Sequence, residues 1–139
     1  MKLNTKVRYG VRAMVQIGLK NSEGGVLQKD IAEAENISLN YLDSIIAALK
    51  SEGLIANISG RGSGYVIKKP TEIISVYDIY RAFEPELRLV NCVCQIYDCK
   101  RINFCPLKDF WFDLSMKVIS EMKNKKLSQL IEEQLLLQT

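Results

Sequence analysis

ISLNYLDSIIAALKSEGLIANISGRGSGYVI, residues 37–67, is the stretch that decides the architecture. Ser38 is a good N-cap, because its hydroxyl accepts from an unpaired N–H in the first turn of a helix. Behind it Leu42, Ile45, Ile46 and Leu49 recur at i, i+3, i+4 and i+7, the apolar stripe of a helix running to about Lys50. The opposite face carries Asn40, Tyr41, Asp43, Ser44 and Lys50, which are hydrogen-bonding groups plus one cation. Gly53 stands where a glycine usually ends a helix. Leu54–Ile58 then reads as a strand, Ser59–Gly64 (SGRGSG) as a turn, and Tyr65–Ile67 as a returning strand.

Upstream, residues 2–20 place Val7, Val11, Met14, Val15 and Gly18 at helical spacing, with Lys6, Arg8 and Arg12 on other faces. Asn21–Gly25 breaks the chain. Val26–Ala34 reads as a short second helix with Leu27, Ile31 and Ala34 on one side. Three helices followed by a β-hairpin with a glycine-rich, arginine-bearing tip make a winged helix-turn-helix. The expected fold is therefore mainly α with a small β-hairpin wing.

In that architecture the third helix enters the major groove of double-stranded DNA. Arg61 meets phosphates or the adjacent minor groove, and the glycines at 60, 62 and 64 let the wing backbone come close. The candidate DNA contacts are Lys6 and Arg8 on the first helix and Gln28 on the second. The third helix and its cap contribute Ser38, Leu39, Asn40, Tyr41, Asp43, Ser44 and Lys50, and the wing contributes Gly60, Arg61, Gly62 and Ser63. Winged helices also serve as protein-interaction modules, and on that view the glycine-rich tip is only a turn. A P-loop fits poorly: the spacing G-x-x-x-x-G-K-[ST] is missing and no helix follows.

Charge is uneven along the chain. Residues 1–70 hold ten Lys+Arg against six Asp+Glu, a net of +4, whereas residues 71–139 hold nine against ten, a net of −1. The basic excess lies on the half that would meet nucleic acid.

Pro70-Thr71 separates a DNA-binding domain (1–70) from a sensor and dimerisation region (71–139). Ile74–Phe83 reads as a short helix that Glu84-Pro85 ends. The irregular stretch Leu87–Cys105 holds every cysteine of the chain, Cys92, Cys94, Cys99 and Cys105, spaced C-x-C-x4-C-x5-C. Thiolates this close share a soft metal, hold an iron–sulfur cluster, or oxidise to a disulfide. After Pro106 a long helix carries Leu107, Phe110, Trp111, Leu114, Val118, Ile119 and Met122. That is more apolar surface than a small winged helix needs, so the helix is expected to pair with a second copy; packing within one chain is the alternative. Leu127–Leu137 forms a final helix that packs back.

Composition closes off other classes. The chain has 139 residues, 47% hydrophobic and 25% charged, enough for one core. No apolar run approaches the ~20 residues of a membrane span. The opening MKLNTKVRYG lacks the apolar segment of a signal peptide, so a reducing cytoplasm is expected, where clustered cysteines bind metal or sense redox state. Histidine is absent, which removes Ser-His-Asp and Cys-His catalysis and the commonest zinc ligand, so no enzyme is expected. A zinc regulator lacks its usual paired C-x2-C knuckles. A cluster-free thiol switch needs no metal, and a redox carrier leaves the winged helix unexplained.

Several segments, taken in order, resemble the IscR/NsrR family of bacterial winged-helix regulators, and within it the iron–sulfur regulators of the IscR kind. They are MKLNTKVRYGVRAM at the start, ISLNYLDSI (37–45), GRGSGY (60–65), the cysteine loop, and CPLKDFWFDLS (105–115). The resemblance covers nearly the whole chain. It implies a homodimer joined through the long helix, two winged helices reading a pseudo-palindromic operator as a repressor or activator, and one iron–sulfur cluster per subunit, of the 2Fe-2S type. Three family ligands fall on Cys92, Cys99 and Cys105, with Cys94 an addition. Where such proteins carry a histidine ligand three residues after the last cysteine, this chain has Lys108, and a protonated lysine has no lone pair for iron. Cys94 is the expected fourth ligand, a group from the partner subunit the fallback. Some relatives use an acidic residue near position 8, but Arg8 stands here. Relatives also often begin the wing with an arginine where this chain has Ser59, so Arg61 takes over that contact.

Overall fold

The computed structural model describes residues 2–60, 62–90, 100–101 and 103–139. Six α-helices and one two-stranded antiparallel hairpin follow each other among these residues: α1 (Thr5–Leu19), α2 (Gln28–Glu35), α3 (Leu39–Ser51), β1 (Ile55–Asn57), β2 (Tyr65–Ile67), α4 (Val76–Arg81), α5 (Leu107–Asn124) and α6 (Leu127–Leu137). The hairpin pairs Ile55 with Ile67, Ala56 with Val66 and Asn57 with Tyr65. The mainly helical winged helix-turn-helix expected from residues 37–67 is the fold observed.

The third helix begins and ends as its sequence dictates. Ser38 Oγ accepts from the Tyr41 N–H at 3.2 Å, and Gly53 follows the C-cap with a φ of 74°. Leu42, Ile45, Ile46 and Leu49 are all buried, in one core with Met14 and Ile17 of α1, Ile31 of α2, Ile55 and Ile67 of the wing, and Ile74, Ile79 and Leu127 from beyond residue 70.

Two element boundaries differ from the expectation, for long-range reasons. The second helix starts at Gln28, not Val26, because Val26 pairs with the wing: its N–H donates to Tyr65 O at 3.1 Å and Tyr65 N–H returns to Val26 O at 2.8 Å. Gly25, just before, has a φ of 96°, and a Cβ there would lie 2.8 Å from Tyr65 O. The root of the wing thus lies directly against the segment that leads into α2. In α4, Ser75 and Asp78 form a reciprocal capping box that sets the start at Val76, two residues inside the expected Ile74. Pro106 is the N-cap of α5.

Helix α6 packs back as expected. Leu127 N–H donates to Ile74 O at 2.8 Å, Val76 N–H to Lys125 O at 2.9 Å, and Leu127 is fully buried. Gly18 of α1 permits this approach, since an added Cβ would lie 2.3 Å from Ile131 Cδ1. Among the described residues no helix is long and apolar enough to cross a membrane.

Candidate DNA-reading surface and cysteine segment

On α3 the residues not spent on the core form a stripe. Asn40, Asp43, Ser44, Ala47 and Lys50 are exposed, at i, i+3, i+4, i+7 and i+10, and Leu39 is half exposed at the first turn. Such a stripe, polar but for Ala47, would suit an approach to base edges. Two expected contacts have structural duties as well. Ser38 caps α3, and Tyr41 is only partly exposed, packing edge-on against Tyr9 with ring centroids 5.8 Å apart. The Ser44 hydroxyl donates to Tyr41 O at 2.9 Å, leaving its oxygen to accept.

The wing is built as a small hydrogen-bonded frame. Ser63 Oγ accepts from the Ser59 N–H at 3.1 Å and donates to Gly60 O, while Gly60 and Gly62 take φ values of 122° and 84°. Asn57 Nδ2 donates to Ser63 O at 3.2 Å, and Asn57 Oδ1 accepts from Lys50 Nζ at 2.9 Å. Lys50 also sits 5.8 Å over the Tyr65 ring, a cation–π contact. Its charge is therefore aimed at the wing from the end of α3. Arg61 lies outside the described residues. Gln28 is partly buried at the start of α2: its Nε2 donates to Asp43 Oδ1, and its Oε1 accepts from the Tyr65 hydroxyl at 3.3 Å.

Gln28, Asp43, Lys50 and Ser63 are thus brought together, and sequence reasoning missed Asn57 and Tyr65, which join them. The available signals were an asparagine inside a strand and an aromatic directly after the wing glycines. Lys6 and Arg8 are exposed on the first turns of α1. That end of α1 is tied to the turn that follows α4, through Asn4 Nδ2 donating to Glu84 Oε1 at 2.7 Å. Arg8 itself reaches Thr5 Oγ1 at 3.4 Å, and Tyr9, beside it, is the link from this turn to α3.

The cysteine segment is described at its flanks. Cys92, Cys94 and Cys99 lie outside the described residues. Cys105 is a partly exposed free thiol directly before the cap of α5, and Lys108 follows one turn on, its N–H donating to Cys105 O at 3.4 Å. On the other flank, Leu89 N–H donates at 3.3 Å to Ser115 Oγ, a buried hydroxyl that itself donates to Trp111 O at 2.8 Å. Leu89 and Val90 line an apolar hollow of about 410 Å³ with Trp111, Leu114 and Val118 of α5. Both flanks of the segment are therefore fixed to the N-terminal half of α5. That helix carries more apolar surface than its chain covers: Phe110 and Phe112 are 54% and 51% exposed, and Leu107 and Met116 are similarly open.

Comparison with known proteins places this geometry. Residues 3–133 match the Rrf2 family, described as iron-dependent transcriptional regulators. The chain is 33% identical over 134 residues to the HTH-type transcriptional regulator IscR of Yersinia pseudotuberculosis, covering 96% of this chain and 81% of that protein. Its fold superposes on T. potens IscR with a TM-score of 0.76 at 28% identity, covering 96% of this chain and 88% of that one. It also superposes on CymR, the global cysteine regulator of B. subtilis, with a TM-score of 0.78 at 27% identity, covering 96% and 98%. Sequence, winged helix and relatives converge: the chain belongs to the Rrf2 family of transcriptional regulators.

Proposed function

We propose that this regulator binds a pseudo-palindromic operator as a homodimer, and that an iron–sulfur cluster in the cysteine segment modulates the binding. The donor set fits such a group. It comprises four thiols in a chain without histidine, and thiolate is the usual ligand of iron–sulfur clusters. Cys92, Cys94, Cys99 and Cys105 would hold it, with Lys108 excluded as a ligand while protonated. When bound, such a cluster supplies a redox-active centre open to oxidation, iron loss and nitric oxide.

The observation that carries this reading is the fixing of both flanks of the cysteine segment to α5. Helix α5 also presents the exposed phenylalanines through which a second copy would pack. Ser115 holds Leu89, and Cys105 leads into the cap of the same helix. A cluster bound there would thereby be felt at the surface that would set the distance between two α3 helices, which on DNA has to be about one helical turn, ~34–36 Å. A coupling of ~1–3 kcal/mol changes operator affinity ~5–150-fold. On each half-site the exposed stripe of α3 reads the major groove and the wing contacts the backbone or minor groove.

Anaerobic purification tests the reading, with an absorbance spectrum and with iron and sulfide counted per chain. DNA binding is then compared before and after iron removal, on a duplex selected by the protein from a random pool. Brown protein whose affinity changes on iron removal is the expected outcome, and Cys94→Ala then tests the fourth ligand. Colourless protein that responds to thiol oxidation or zinc overturns the cluster and leaves the winged-helix regulator standing.

A further inference from the structure

We infer that Gln28 and Tyr65 are positioning residues for Asp43, so that α2, α3 and the wing set base preference jointly. This rests on the reading of α3 as the base-contacting element. A carboxylate only accepts, so the Gln28 amide must turn its nitrogen toward Asp43, and Nε2 does donate to Asp43 Oδ1. With the nitrogen committed, Oε1 faces the Tyr65 hydroxyl, which donates to it at 3.3 Å. The direction of each bond is thereby determined: hydroxyl to amide oxygen, amide nitrogen to carboxylate. Tyr65 is itself held, by the paired backbone bonds to Val26 and by Lys50 over its ring.

A free aspartate on an exposed helix face samples several rotamers and turns away from nearby phosphates. Here one oxygen is engaged, so the side chain is held before DNA arrives and the ordering cost is not incurred on binding. The second oxygen, Oδ2, remains to accept from a cytosine N4 amino group. It opposes the O6 of guanine or the O4 of thymine at the same place, since those are acceptors too. Gln28, expected from sequence to touch DNA, has an amide engaged at both ends by protein groups. Its contribution runs through Asp43.

The test uses the full chain and a duplex selected by it from a random pool, with single-base variants of that duplex, and reads binding by fluorescence anisotropy. Asp43→Ala identifies the base whose preference relaxes. Gln28→Met, which keeps the side chain's length and removes both bonds, is expected to hold affinity for the selected duplex within about threefold while losing roughly tenfold discrimination at that same base. Tyr65→Phe removes only the hydroxyl and should act in the same direction, more weakly. The double variant Gln28→Met with Asp43→Ala should match Asp43→Ala alone. Equal weakening on every duplex, or additive effects in the double variant, overturns the inference. If Asp43→Ala shifts a base preference that Gln28→Met and Tyr65→Phe leave intact, the inference falls and the base-reading role of Asp43 survives. If Asp43→Ala shifts none, both fall. Thermal melting accompanies each variant, and Tyr65→Phe carries the test if Gln28→Met unfolds.

Discussion

Lys50 shows how one residue on the reading helix serves two surfaces. Its ammonium reaches Asn57 and the Tyr65 ring, which braces the wing, and on a DNA-reading α3 the same charge would add to the positive potential. Arg61, expected from the sequence to meet phosphates, would have the simpler duty of a backbone cation. Arg61→Ala should weaken binding by a similar factor on all sequences and lower the slope of log affinity against log salt by about one. Anisotropy titrations across a salt series check this. An effect confined to one sequence would mean that Arg61 reads a base.

At the scale of elements, the wing is joined to the body at Gly25 and Val26 as well as through the hairpin. Gly25→Ala would force a side chain into positive φ and against Tyr65 O. It should cost about 1–3 kcal/mol, read as a lower urea midpoint, and should loosen the wing. This joint also explains what the sequence could and could not tell. The third helix was legible because its cap, apolar stripe and terminal glycine are all local: Ser38, Leu42, Ile45, Ile46, Leu49 and Gly53 lie within one short span. The start of the second helix was not, because Val26 is drawn into the sheet by Tyr65, far along the chain. For the same reason Gln28 could be named from its position but not given its partners, since Asp43 and Tyr65 meet it only in the folded protein. The clustering of the cysteines is visible in the sequence, which leaves metal, cluster and disulfide open. The attachment of Leu89 to α5 depends on Ser115, which ends the family-like segment 105–115 but meets its partner only in the folded chain.

For the whole molecule, the open aromatic side chains of α5 are the feature that the single chain leaves unexplained. If they meet a second copy, Phe110→Asp should turn dimer into monomer in sedimentation experiments. The melting temperature of the separated chain should hardly move, because a half-exposed position away from the core tolerates a charge within about 0.5 kcal/mol. A large loss of stability without a change in mass would instead assign Phe110 to packing inside the chain. The main core joins Met14 and Leu42 to Ile74 and Leu127, so a disturbance carried along α4 or α6 reaches the reading helix through packed side chains rather than across a flexible linker.

Leu89 and Cys105, on either side of the stretch that carries the other cysteines, are both attached to α5, which would favour chelation by that stretch. Both ends of that stretch are attached to one helix, so if the cysteines share a metal, part of the closure entropy would already be met by folding. The length of the stretch should then matter little: doubling a flexible loop costs only about 0.6 kcal/mol. If the cysteines hold a metal, glycines inserted between Val90 and Asn91 to double the stretch should lower its affinity by about threefold, whereas Ser115→Ala, which leaves the length unchanged and frees one end, should lower it more in a competition titration with a chelator.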